Sequence, residues 1–261
     1  MDSPLLEVRG LHRRFGGLHA VHDVSFAVPR GAIKAIIGPN GAGKTTLFNL
    51  IAGTLPCHGG EVLFRGRPIT GWKPYAIAGL GIARTFQTTQ LFPRMTVLEN
   101  VMVGRHPRTR CGLLTALFYP PRVWREERRT EQEALAILDD MGLRAHAREV
   151  TANLTFGRQR IVEFARALAT EPELLLLDEP AAGLNVHETQ ELAELIRKIR
   201  RRGITCLVVE HDMSLVMDIS DEILVLSQGR GIAEGPPHAI QANPEVIRTY
   251  LGDDDAADSQ S

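Results

Sequence analysis

The sequence predicts an α/β fold: a largely parallel sheet with a helical segment inserted into it. Three observations lead there. Short apolar, β-branched runs bounded by turn residues recur along the chain with helical stretches between them, the alternation that builds βαβ units. Several of these runs are apolar at every position, as strands covered on both faces must be. From about Thr96 to Arg166, by contrast, the pattern is mostly helical, with few strand candidates.

The strands are expected at Ser25–Val28, Ala32–Ile37, Glu61–Phe64, Leu174–Leu177, Thr205–Val209 and Ile223–Leu226, with an apolar-periodic helix over Thr45–Ala52. The predicted organisation is a core over residues 1–95 and 167–250, an inserted helical subdomain at 96–166 and an acidic, small-residue tail at 251–261. Within the insert, Arg105, Arg108, Arg110, Arg122, Arg125, Arg128 and Arg129 surround the breaker Pro120-Pro121. That stretch fits a solvated helix and loop as well as it fits a docking surface. The run Arg197–Arg202 closes a helix ahead of Gly203, where positive charge suits the carbonyl end of the dipole.

Bulk properties exclude several function classes. A chain of 261 residues with 44% hydrophobic side chains can bury one sizeable core, alone or with an embedded subdomain. Basic and acidic residues nearly cancel, 30 against 31, so no broad field draws nucleic acid or an acidic lipid surface. The apolar runs Leu174–Leu177 and Ile204–Val209 are far shorter than the ~18 residues of a membrane span. The start, MDSPLLEVRG, has neither the basic end nor the apolar core of a secretory signal, and a cytoplasmic location is expected. Cys57, Cys111 and Cys206 are odd in number and lack metal-ligand spacing, so we expect neither a disulfide nor zinc.

The strongest motif is GPNGAGKTT, the residues Gly38, Pro39, Asn40, Gly41, Ala42, Gly43, Lys44, Thr45 and Thr46, between a strand and a helix. Glycines let the backbone wrap a polyphosphate closely, with N–H groups and a helix N-terminus aimed at its oxygens. Lys44 is expected to bridge the β and γ phosphates, the Thr45 hydroxyl to take one position on Mg²⁺, and Thr46 to donate to a phosphate oxygen. The run ELLLLDEP delivers Asp178 to the sheet edge, where it can hold Mg²⁺ through a water. Glu179, next to it, is placed as general base for an attacking water. Most Asp-Glu pairs are caps or solvated residues, but few are fed by a four-leucine strand. His211 ends another apolar strand in VVEHDM, although a lone histidine is more often a satisfied surface or core residue. Gln87, in ARTFQ, has an amide that can touch both metal and water, though a single glutamine carries little information.

Together these positions resemble the nucleotide-binding subunit of ABC transporters, over residues 5–251. LTFGR, Leu154 to Arg158, stands where that family has its LSGGQ signature loop, about twenty residues ahead of the acidic strand. The resemblance implies a P-loop NTPase with an antiparallel β portion beside its parallel core, and a site completed by a second subunit. The Thr155 hydroxyl, the Gly157 amide and a helix starting near Arg158 would face the γ phosphate held by that other subunit. It further implies that Phe15 stacks on adenine, a position it shares with a core reading, that Gln87 couples to the membrane partner, and that His211 holds the γ phosphate and the water. The signature departs from the family at Thr155, Phe156 and Arg158. In AGLN, Asn185 replaces the family's aspartate, keeping hydrogen bonds and losing charge. Arg158 is expected to pair with an acid across the interface or to touch nucleotide.

RTFQ, MTVLENV, DEPAAGLN, EHDM and NPEVIRTYLG, with the long insert, are similar to the branched-chain amino acid importer ATPases, in particular the longer of their two nucleotide-binding subunits. Importers of urea and amides and the ATPase of lipopolysaccharide export share much of this pattern. The resemblance implies ATP and Mg²⁺ as ligands and membrane permease subunits as partners, reached through Thr88–Pro93 and parts of the insert. It also implies a second ATP-binding subunit, identical or similar, an indirect link to a substrate-binding protein, no nucleic acid, and a peripheral place on the cytoplasmic face of the inner membrane. A soluble repair or ribosomal relative would carry coiled-coil insertions or two cassettes in one chain. A kinase would not need LTFGR and AGLN, and a module without turnover would not need Glu179.

Overall fold

The computed structural model describes residues 3–85, 90–105 and 121–250, the side chains of 121–124 excepted. The chain forms two compact units, Met1–Arg84 with Glu173–Ser261, and Thr85–Pro172. Sheet pairing sets these borders: Ile82–Arg84 leaves the sheet beside Leu174–Leu176, where the chain returns.

In the first unit the described strands are β1 (Leu6–Phe15), β2 (Leu18–Val28), β3 (Ile33–Ile37), β4 (Gly59–Phe64), β5 (Arg67–Pro68), β6 (Ile82–Arg84), β7 (Leu174–Asp178), β8 (Thr205–Val209), β9 (Glu222–Ser227) and β10 (Arg230–Gly235). They make two sheets, β2-β1-β4-β5 and β10-β9-β3-β8-β7-β6. The six-stranded sheet is parallel except for β10 against β9, and the smaller one is antiparallel. Two expected strands, Ser25–Val28 and Glu61–Phe64, therefore belong to the antiparallel sheet. Periodicity marks a strand without saying which sheet it joins.

Burial explains the central strands. Every residue of β3, β7 and β8 is buried, and each of the four leucines of β7 contributes on the order of 1.5–3 kcal/mol by leaving water. Lys34 is the polar exception inside β3: its ammonium donates to the Ala27 carbonyl (2.8 Å) and Glu222 (2.9 Å) and pairs with Glu234, so the charge is compensated where it is buried. Helix α1 (Lys44–Ile51) follows β3, and α2 (Pro74–Gly79) precedes β6.

The second unit carries α3 (Val97–Arg105), α4 (Pro121–Asp140) and α5 (Phe156–Leu168). A capping box starts α3: Thr96 Oγ1 accepts from Glu99 N (3.2 Å) while Glu99 Oε2 accepts from Thr96 N (2.7 Å). Proline at the head of α4 fits a position whose N–H has no helical partner. Two of the clustered arginines are spent on acids, Arg105 on Glu133 and Glu171, and Arg129 on Glu133. Arg108, Arg110, Cys111 and the tail 251–261 lie outside the described residues. Back in the first unit, α6 (Val186–Arg201) ends in a basic turn before Gly203, where Arg200 reaches Asp221 (2.7 Å). Then come α7 (Met213–Ile219) and α8 (Pro237–Gln241). Among the described residues no helix is long and apolar enough to cross a membrane.

Candidate functional site

Parallel register brings three strand ends to one level. Ile36 of β3 and Asp178 of β7 both pair with Val209 of β8. The segments that follow, the glycine loop, Asp178-Glu179 and Glu210-His211, therefore leave the same edge, where open α/β sheets bind ligands.

The loop is glycine-rich for steric reasons. A Cβ on Gly38 (φ 151°) would lie 2.1 Å from the Leu226 carbonyl oxygen, and one on Gly43 (φ 98°) 2.2 Å from that of Ala20. Gly43 then caps α1, whose first-turn N–H groups have no intrahelical acceptor. Lys44 is buried, its ammonium donating to the carbonyls of Gly38 (2.5 Å) and Pro39 (2.9 Å). Burial pushes its pKa down and the charge of Glu179 opposes the shift, so a phosphate anion here would stabilise the ammonium. Thr45 is exposed and Thr46 half-buried on the same turn.

Asp178 is buried and paired with Arg84 at the end of β6 (2.7 Å), whose other amino group reaches Asn49 Oδ1 (2.7 Å). Glu179 sits at φ 44°, a left-handed conformation that glutamate rarely adopts. Its N–H donates to the Val209 carbonyl (2.9 Å), which helps hold the strained residue in place. Glu210 does the rest of the tethering. Fully buried, its carboxylate accepts from Ala181 N (2.7 Å), His211 N (2.8 Å) and Asp212 N (3.2 Å), strong because charge-assisted. The His211 ring is exposed, its Nδ1 3.7 Å from Glu210. Sequence reasoning passed over both Arg84 and Glu210. The available signal was a charged residue closing an apolar run, in GIAR and in CLVVE.

Phe15 is 45% exposed, with the Arg13 guanidinium 4.6 Å from its ring centre, so the core reading of this residue falls. Gln87 lies outside the described residues. Thr155, Gly157 and Arg158 belong to the second unit. Thr155 is the N-cap of α5, accepting from Arg158 N (3.5 Å), so the helix begins at Phe156, two residues ahead of the expected start. Gly157 is buried and Arg158 exposed. Phe156 is turned partly to solvent, with the Arg160 guanidinium 5.7 Å from its ring centre. Asn185 caps α6 in a reciprocal box with Glu188, both bonds 3.0 Å, a contribution of about 1 kcal/mol that the loss of the family's aspartate leaves intact.

A pocket of about 440 Å³ opens beside the glycine loop, between Pro39–Ala42 and Ser227, Gln228 and Thr249. Next to Thr249, Tyr250 packs on the cluster of Ile37 and Val225, and burial pushes its phenol up to about 12.

The profile of the ABC transporter family matches residues 21–182, a span holding the glycine loop, LTFGR and the acidic strand end. This chain belongs to the ABC transporter family. A second profile, branched-chain amino acid ATP-binding cassette transporter, matches residues 232–256 of the cassette, the stretch that contains Thr249 and Tyr250. The high-affinity branched-chain amino acid transport ATP-binding protein LivG of Salmonella typhimurium is 47% identical over 254 residues, 97% of this chain and 100% of that protein. BraF of Pseudomonas aeruginosa, a protein of the same description, is 44% identical over the same shares. Among solved structures, the ADP conformation of MJ1267, an ATP-binding cassette of an ABC transporter, superposes with a TM-score of 0.84 at 33% identity, over 96% of this chain and 100% of that one. A nucleotide-free cassette gives 0.83 at 33%, over 95% and 99%. The fold is thus the P-loop NTPase of an ABC cassette.

Proposed function

We propose that this chain hydrolyses ATP as one of two cassettes driving a membrane importer of branched-chain or related amino acids, seated on the cytoplasmic face of the inner membrane. The observation that carries the reading is identity of 44–47% along the full length of relatives named for high-affinity branched-chain amino acid transport.

In this reading the loop Gly38–Thr46 and the N-terminus of α1 grip the β and γ phosphates, Lys44 supplies the balancing charge, and Phe15 offers its open face to adenine. Thr45, Asp178 and Gln87 would hold Mg²⁺ through oxygen donors, and the ion would supply positive charge against the β and γ phosphates. Glu179 takes the proton of the attacking water and His211 steadies that water against the γ phosphate, while Glu210 holds the backbone N–H groups of Ala181 and His211. Thr155, the Gly157 amide and the start of α5, offered by a second cassette, identical or similar, would complete the site, with Arg158 at its rim. Permeases would dock on the segment after Gln87. Phe92 there is 47% exposed, and the buried Asn100 holds its backbone, accepting from Phe92 N (2.9 Å) and donating to Phe92 O (3.1 Å). The substrate-binding protein acts only through the permeases.

Uptake of radiolabelled leucine at low micromolar concentration tests the substrate class. In cells lacking this gene, high-affinity uptake should disappear and return with the wild-type chain but not with Glu179→Gln. Unchanged leucine, isoleucine and valine uptake in the deletion strain would refute the substrate class.

A further inference from the structure

Three imidazoles that belong neither to the glycine loop nor to the acidic strand end converge on the antiparallel sheet. His12 stands on β1, His19 and His22 on β2, with ring centroids 4.9, 5.3 and 4.8 Å apart. Each offers a ring nitrogen, and these nitrogens all lie within 4.8 Å of one another. Residues three apart in a regular strand point to opposite faces, so His19 and His22 would not ordinarily meet. The pairing with β1 supplies the reason: Arg13 faces Val21 but Arg14 faces His19, leaving Ala20 as an extra residue. Such a bulge reverses the alternation and turns both histidines to the side that His12 shares. A second irregularity, between Leu11–Val24 and Arg13–Val21, falls beside Asp23, which sits at φ 56°.

The cluster carries a polar atom with nothing to bind. His19 Nδ1 is buried and has no hydrogen-bond partner, an arrangement that folded proteins rarely tolerate without a ligand or water. We propose that His12, His19 and His22 form a binding site for a divalent transition-metal ion of the Zn²⁺ type, three imidazole nitrogens holding the ion and a water taking the fourth position. Imidazole suits Zn²⁺, Cu²⁺ and Ni²⁺, whereas Mg²⁺ asks for oxygen, so the site is chemically distinct from the one that accompanies nucleotide. Tetrahedral Zn²⁺ with bonds of about 2.0–2.1 Å sets its nitrogens about 3.3 Å apart, a closure within reach of small side-chain rotations on a fixed backbone. The charges of Arg14 and Arg230 act on the His19 ring and, among the described residues, the cluster contains no carboxylate, which argues for micromolar rather than nanomolar affinity. The scattered cysteines pointed away from zinc, and this site uses none of them.

The position links the ion to the nucleotide site. The Ala20 carbonyl oxygen lies 2.2 Å from where a Cβ on Gly43 would be, and His22 N–H donates to the Gly229 carbonyl (2.7 Å), so an ion on these rings would stiffen the strand that backs the glycine loop. The test uses the full-length, tag-free chain stripped with a chelator. It is titrated with Co²⁺, followed by visible absorption, and then with Zn²⁺ in competition. One equivalent of Co²⁺ should bind with the intense bands of a tetrahedral site and be displaced by Zn²⁺ but not by excess Mg²⁺. His19→Ala and His22→Ala should each weaken binding at least ten-fold. A chain carrying both His146→Ala and His187→Ala, altered at the two histidines beside Glu149 and Glu191, should bind as wild type does. Unchanged affinity in His19→Ala and His22→Ala, or a sulfur-to-cobalt charge-transfer band, would overturn the site. Carbethoxylation of the wild-type chain decides without any substitution. Zn²⁺ protection of His12, His19 and His22 supports the site, and equal modification with and without Zn²⁺ overturns it.

Discussion

Replacing Lys44 with alanine should weaken ATP binding by about a hundred-fold or more, read by titration with a fluorescent ATP analogue. The size follows from what the side chain leaves behind. In the free chain the ammonium is buried and donates to the carbonyls of Gly38 and Pro39, and its burial pushes its pKa down. A polyphosphate is the group that this charge lacks, and a charge-assisted bond to a buried partner contributes about 1.5–3 kcal/mol. Alanine removes the cation and leaves two carbonyl oxygens facing the phosphates, adding repulsion to the loss. Lys44→Arg keeps the charge but carries a planar fork on a longer stem, so it should recover little. Circular dichroism would show whether the variants fold. An alanine variant that folds and binds ATP within threefold of wild type would mean that the loop does not grip phosphate through Lys44.

Glu179→Gln should leave ATP affinity unchanged and lower turnover by about 10²–10⁴-fold, the usual contribution of a general base. Glutamine keeps the shape and the N–H bond to Val209, and so the left-handed backbone, but its amide cannot take a proton from water. Bound ATP would then persist, and ATP-loaded chains should collect as a closed dimer on gel filtration. Turnover within tenfold of wild type would assign the base elsewhere. Glu210 is not the alternative, because its carboxylate is fully buried and already accepts three backbone N–H groups.

What could be read from sequence was the part whose signal is local. The four leucines ahead of Asp178 and Cys206–Val209 ahead of Glu210 are apolar at every position because both faces of β7 and β8 are covered, and the glycine loop is contiguous. β1 was missed because Gly10 (φ 54°) and the bulges opposite it break the alternation that would announce a strand. β10, RGIAEG, is a glycine-bounded edge strand with no buried residue, so composition argues against it. Arg84 and Glu210 escaped for a different reason. Arg84 meets Asp178 across 94 positions, and Glu210 meets Ala181 across 29, and a single sequence carries no record of such pairings. The three histidines depend on one extra residue in one strand, a detail that only the register reveals.

Thr155 and α5 lie in the second unit, and the glycine loop, Asp178 and Glu179 in the first. The central claim is that hydrolysis requires such halves from two chains. Specific ATPase activity measured across a dilution series tests it most directly. The expected result is a rate per chain that falls as the chain is diluted and recovers when a partner cassette is added back. A preparation shown to be monomeric that hydrolyses ATP at full rate, unchanged on dilution, would contradict it.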